Sequence, residues 1–257
     1  MRMASPDSFM LRNGSEIDLN PTDLFHQQVA DKAGIPQRYY DKMKSENPDL
    51  MVQNVNSWFD RTPSKRLVRT TNGRARAFLT DGYRPLDNYD VAENLLPVLA
   101  KTGLRIVSSQ ITETRLYIQA VSDRLTADVK VGDAVQQGIT IRNSEVGKGS
   151  LAIEDLIWRL ACLNGAIYGN VMRQAHIGGS RRGDVSFAEE ITFTSETRKL
   201  SDKAFWSQAK DAVAQLLTPE SLDRKIEKMK RATKIEIEKP AAAIEMLSDE
   251  FNLNEAE

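Results

Sequence analysis

The chain is poor in the residues from which catalytic and metal centres are usually built. Of 257 residues, one is cysteine, Cys162, and two are histidine, His26 and His176. A single thiol excludes an intrachain disulfide and suits a reducing compartment, so a cytoplasmic location is expected. The two imidazoles fall on separate segments, and no Cys/His cluster has zinc-ligand spacing. Cys162 reads as a small core residue and His26 as a residue on a helix surface. No Gly-x-Ser-x-Gly elbow occurs. No apolar run approaches the ~20 residues of a membrane span, and "MRMASPDSFMLRNGSE" lacks the apolar centre of a secretory signal. Neither repeats nor low-complexity tracts are visible. Enzymatic chemistry, a cofactor, a metal and a membrane are therefore not expected.

What is present is 40% apolar and 28% charged, with a formal net charge of −1. That is the composition of a globular chain long enough to bury a sizeable core. The balance hides a local asymmetry. Between positions 61 and 84, Arg61, Lys65, Arg66, Arg69, Arg74, Arg76 and Arg84 stand against Asp81 alone. Between 236 and 257, Glu236, Glu238, Glu245, Asp249, Glu250, Glu255 and Glu257 stand against Lys239. A basic middle suits an anionic ligand, and an acidic end can compete for the same surface.

The basic run reads as a hairpin. Asn72-Gly73 suits a two-residue turn with positive φ at both positions. In the simple register Arg69 faces Arg76, with Arg69, Arg74 and Arg76 on one face and Val68, Ala75, Ala77 and Leu79 on the other. Directly opposed guanidinium groups repel, so an anion over that face is expected. Pairing with acids elsewhere in the chain, of which Asp81, Asp87 and Asp90 are the nearest in sequence, is the alternative.

Around the hairpin, residues 1–19 read as loosely ordered. A helix follows with Asn20 as cap, Pro21 at the first position and Gly34 as stop. "IPQRYYDKMKSE" and "PDLMVQNVNSWFD" read as two more helices, and Tyr89–Lys101 as another. The first helical corner also has the outline of a helix-turn-helix. Runs at 104–110, 114–121, 126–131 and 135–142 read as a β-meander added to the hairpin. In "SLAIEDLIWRLACLNGAIYGN", Ile153, Leu156, Ile157, Leu160, Leu163 and Ile167 fall at helical spacing and predict a long amphipathic helix on the sheet. "EVGKGS" before it fails the phosphate-loop pattern but places Lys148 at the expected helix start, where free N–H groups favour phosphate. "HIGGSRRGD" is a Gly/Arg loop and "VSFAEEITFT" a strand. Helices over Ser201–Leu217 and from Thr218-Pro219 to Ala232, then a short acidic one, close the chain.

The expected class is thus α+β: an antiparallel hairpin and meander packed on a long amphipathic helix, with N- and C-terminal helical segments. The expected division is 1–62, 63–195 and 196–257. The candidate site gathers Arg69, Arg74, Arg76 and Arg84 with Phe78 and Tyr83 as stacking rings, joined by Lys148, Arg173, Arg181 and Arg182. Cations with interleaved aromatics suit sequence-tolerant binding of a single strand.

"NGRARAFLTDGYRPLDN" running into "DVAENLLPVLAKTGL", with upstream "KAGIPQRYY" and downstream "LACLNGAI", resembles a phage- and plasmid-borne family of the prophage YfjQ/YafZ type. The matching core is Gly73–Ala77 and Tyr83–Asn88. This resemblance implies a mobile-element setting and a bacterial cytoplasm, and brings no activity. The order of meander and amphipathic helix is similar to the β-β-β-α core of single-strand annealing proteins of the Redβ/Erf/Sak type. That resemblance implies a basic groove for single-stranded DNA, assembly into rings or filaments, and no nucleotide hydrolysis. The expected function is single-stranded DNA (or RNA) binding in recombination or annealing, by a homo-oligomer. The alternative is an anti-defence interaction protein whose acidic C-terminus mimics DNA.

Overall fold

The computed structural model describes residues 2–10, 16–61, 63–162, 164–174, 195–235 and 239–251. The fold is α+β with an antiparallel meander. The N-terminal stretch, expected to be loose, forms three short strands, β1 (Arg2–Met3), β2 (Ser8–Met10) and β3 (Glu16–Asp18). Met3 and Phe9 explain the order, since both are buried against the helices that follow. Those helices are α1 (Asp23–Ala33), α2 (Gln37–Glu46) and α3 (Pro48–Arg61). The cap of α1 is Thr22 rather than Asn20: the Thr22 hydroxyl accepts from the Phe25 N–H, while Asn20 turns the chain at φ 38°. Gly34 stops the helix as expected.

The hairpin is β4 (Arg66–Thr71) and β5 (Arg74–Thr80), turned by Asn72 and Gly73 at φ 51° and 75°. Positive φ at both positions is the reason that Asn-Gly suits this turn. The hairpin does not join the meander; it is a separate two-stranded sheet. Its register also departs from the simple one. Thr71 faces Arg74 and Thr70 faces Ala75, but Arg69 faces Ala77 and Val68 faces Phe78. Arg76 is the extra residue of a bulge, which removes the expected Arg69–Arg76 opposition. The expected apolar face is split in consequence. Ala75 and Phe78 join the core that β1 and β2 share with α1–α3, while Ala77 and Leu79 pack with Tyr83 and Val146. The first of these cores unites residues on both sides of position 62.

Helix α4 (Asn88–Lys101) leads into a five-stranded meander: β6 (Leu104–Ile111), β7 (Leu116–Asp128), β8 (Ala134–Asn143), β9 (Leu151–Arg159) and β10 (Asn164–Gln174), hydrogen-bonded in sequence order. The run 126–131 is not a strand of its own; its first part continues β7 beyond a register shift. The main correction is at "SLAIEDLIW". The predicted amphipathic helix over 150–170 is instead strand β9, a turn and the first part of β10, with β9 antiparallel to β8 on one side and to β10 on the other. Leu151–Ile157 are buried at every position. A central strand buried on both faces carries a continuous apolar run, and its periodicity cannot be told from that of a buried helix. Cys162, expected in the core, is exposed in the β9–β10 turn.

Three helices cover one sheet face instead. From α4 come Val91, Leu95 and Leu99, and from α5 (Ser195–Leu216) come Phe205, Trp206, Ala209 and Val213. They pack on Leu116, Ile118, Ala120, Ile139, Ile141, Leu151 and Ile153. Helix α6 (Pro219–Ala232), capped by Thr218 with Pro219 at its first position as expected, adds Leu222 and Ile226 over Val135 and Ile157. Helix α7 (Pro240–Phe251) follows. The expected strand at 185–194 lies outside the described residues.

Among the described glycines the closest approach of backbone is at Gly138. A Cβ there would lie 2.2 Å from the Ala120 carbonyl oxygen on β7. Backbone of a paired strand cannot move aside as a side chain can. Gly138→Ala is therefore expected to destabilise by about 2 kcal/mol, read as a lower denaturant midpoint. A midpoint equal to that of the unsubstituted chain would contradict this approach of β7 and β8.

Candidate nucleic-acid interface

Three of the four candidate arginines from this region, Arg69, Arg76 and Arg84, are tied to carboxylates. Arg69 donates to Asp87 Oδ1, close to the start of α4, and Arg84 to Asp202 Oδ1 on α5. Arg76 donates to Glu145 Oε2 at 2.9 Å and to the Glu113 carbonyl at 2.9 Å, while Glu145 Oε1 accepts from the Asn88 N–H at 2.8 Å. Glu145 thus joins hairpin, α4 and the β8–β9 loop. Of these four, Arg74 is the loosely engaged one, 3.8 Å from Glu113 and half exposed. The alternative of internal pairing therefore describes Arg69, Arg76 and Arg84. The guanidinium groups crowded by sequence are fasteners between elements distant in sequence.

The two expected stacking rings are unavailable to bases. Phe78 is 2% exposed and lies stacked on Phe59 at 5.6 Å, edge-on to Phe25. Tyr83 is 9% exposed and donates its hydroxyl to the Ser144 carbonyl at 2.9 Å. Burial drives its phenol up to about 12. His26, expected on a surface, is buried and paired with the Tyr40 hydroxyl at 2.9 Å. His176, Arg181 and Arg182 lie outside the described residues.

Lys148 and Arg173 belong to a different arrangement, at the end of the meander. The pairing Tyr117–Arg142, Arg142–Ala152 and Ala152–Arg173 forms one rung across β7, β8, β9 and β10. Three strand spacings make this rung roughly 14 Å wide. Beyond it, the β6–β7 turn and the β8–β9 loop enclose an open groove of about 440 Å³, lined by Thr112, Thr114, Arg115, Tyr117 and Lys148. Arg115 is fixed in place: Nε and Nη2 donate to the Lys148 carbonyl at 3.2 and 2.9 Å, and Nη1 to the Tyr117 hydroxyl at 3.0 Å. Of five N–H donors, two remain. Among the described residues no carboxylate lies within 4 Å of Arg115 or Lys148. Arg173 is exposed beside the same loop, its Nε donating to Ser150 Oγ at 2.7 Å. Arg142, on the rung, is paired with buried Glu154.

Lys148 thus remains a candidate for a new reason. No helix starts at Ser150, so its neighbourhood offers no helix N-terminus; a strand begins at Leu151. Arg115 and Tyr117 are the residues that sequence reasoning missed. Their signal is non-local: only the β7–β8 register and the loop carbonyl of Lys148 assemble them.

Compared with family models, curated proteins and solved structures, the chain finds no match. Among the described residues no helix is long and apolar enough to cross a membrane.

Proposed function

We propose that this chain binds single-stranded nucleic acid across the end of its meander, with DNA as the expected strand and RNA as its competitor. The observation that supports the reading is the pre-positioned Arg115 guanidinium beside Lys148, in a groove whose lining contains no carboxylate. Cations held by backbone carbonyls rather than by acids keep their charge for a polyanion, and desolvating them requires no ion pair to break. Arg173 lies beside the same loop and adds a further exposed cation, while Arg74, near the hairpin turn, stands 3.8 Å from Glu113. The Thr114 hydroxyl is a further donor to a phosphate oxygen, whereas that of Thr112 is spent on the Arg115 carbonyl, and the half-buried Tyr117 ring is the aromatic surface at the site. A role in recombination or annealing rests solely on the likeness to single-strand annealing proteins, and the helix that carried that likeness is replaced here by β9 and β10, so the proposal is one of strand binding.

The test is oligonucleotide binding by fluorescence anisotropy at several salt concentrations. Arg115→Ala and Lys148→Ala are each expected to weaken binding about tenfold, the loss of one charge-assisted contact. The double variant should also flatten the plot of log K against log salt by about 1.4, at roughly 0.7 per phosphate on a single strand. Glu substitution at Arg76 is a poor probe, because it would set an acid against Glu145. Unchanged affinity in the double variant would remove this site. Absence of binding at low salt would remove the function in favour of the interaction-protein reading, for which α7 offers exposed Ile244 and Met246 beside Glu245.

A further inference from the structure

Strand β6 is an open edge of the meander. Among the described residues its only strand partner is β7, and Arg105, Ile106, Ser108, Ser109, Gln110 and Ile111 are all exposed. Edge strands in folded proteins are usually blunted by charge, proline or a covering segment. Here the seven residues 106–112, "IVSSQIT", carry neither charge nor proline; Arg105 before them is bonded to Asp123, and Arg115 in the following turn is held by the Lys148 carbonyl. Two large apolar residues stand on this edge, Ile106 at 46% exposure and Ile111 at 72%.

Their spacing of five places them on opposite faces of a regular strand. The register shift between Ile106 and Ser108 changes that. Ile106 faces Ala120, Ser109 faces Ile118 and Ile111 faces Leu116, so all three lie on the side that α4 and α5 cover further in. Val107 is the extra residue.

We infer that β6 pairs antiparallel with β6 of a second copy of this chain, about a two-fold axis at Ser109. In that register Ser109 faces its own counterpart and Gln110 faces Ser108. With Val107 bulged, Ile111 then meets Ile106 of the other copy, and the same contact is made twice. The four isoleucines form an apolar cluster that continues the core across the joint. No like charges are opposed, which is the usual cost of pairing a strand with itself. This self-complementarity singles out a second copy as the occupant. The contact is isologous and closes at two, unlike the head-to-tail contact that a ring or filament requires. It does not rest on the nucleic-acid reading, and the paired residues Ile106–Ile111 are not groove residues; Thr112, at the end of the stretch, is the point where edge and groove adjoin.

Sedimentation and light scattering of the full chain without nucleic acid are expected to give twice the 28.8 kDa chain mass. Ile106→Lys and Ile111→Lys should each raise the dimer dissociation constant at least tenfold while leaving the circular dichroism spectrum and melting temperature of the monomer intact. A third variant, Ser109→Cys with Cys162→Ser, should form a reducible covalent dimer under mild oxidation, since directly opposed Cβ atoms approach disulfide range. A monomer at tens of micromolar, or a larger assembly that Ser109→Cys does not cross-link, overturns the inference.

Discussion

Lys225→Ala should lower stability by about 3–5 kcal/mol, the penalty for leaving one member of a buried ion pair without its partner. Lys225 Nζ on α6 lies 2.5 Å from Asp155 Oδ2 on β9, and the two side chains are 8% and 7% exposed. The ammonium also donates to Ser221 Oγ at 3.0 Å, and Gln137 from the sheet donates to Ser221 Oγ and to the Leu216 carbonyl. Burial pushes the Asp155 carboxyl up and the Lys225 ammonium down, each held against that tendency by the other. Remove the ammonium and Asp155 must take up a proton or draw water beneath α6. At roughly 2–4 °C per kcal/mol for a chain of this size, the melting temperature should fall by about 6–20 °C. Asp155→Leu with Lys225→Met should recover much of the loss, because a packed apolar pair carries no desolvation penalty. A Lys225→Ala chain within 1 kcal/mol of the unsubstituted one would mean that α6 does not seat on the sheet in this way.

The second large effect is one of pH. His26 is 2% exposed, and burial, reinforced by nearby Lys44, lowers its pKa from 6.5 to about 4, against the opposing pull of Asp7, Asp23 and Asp41. The native state therefore keeps a neutral imidazole in a range where the unfolded chain takes up a proton. Stability is unaffected by this group above pH 6.5, falls as pH drops from 6.5 towards 4, and levels off below 4. At 1.36 kcal/mol per unit, the full loss is about 3 kcal/mol. Denaturant midpoints between pH 7.5 and 4 should show this slope, and His26→Gln, which keeps an acceptor for Tyr40, should flatten it. With two histidines in the chain, proton NMR can assign the titration; a His26 imidazole that titrates near 6.5 would contradict the buried Tyr40 contact.

The fate of the arginines shows where local reading stops. Their density between 61 and 84 was plain, and so was the turn that presents them. Their partners were not. Arg76 meets Glu145 at a separation of 69 residues and Arg84 meets Asp202 at 118. A charge excess counted within a window of twenty residues says nothing of acids that the fold delivers from elsewhere. The bulge at Arg76 had the same effect on register: one extra residue dissolved the opposition on which the anion argument rested.

By itself, the amino-acid sequence determined what short-range physics controls: the Asn72-Gly73 turn, the Gly34 stop, the Thr218-Pro219 start of α6, and enough apolar content for an α+β core. Tertiary structure decided the rest. Leu151–Ile157 became a strand because neighbours on both edges supply its hydrogen bonds and both faces are covered, conditions that no window of sequence contains. It likewise turned Phe78 and Tyr83 inward, neutralised Arg69, Arg76 and Arg84, and left Arg115 and Lys148 as open cations, because burial and charge pairing depend on which distant segments meet.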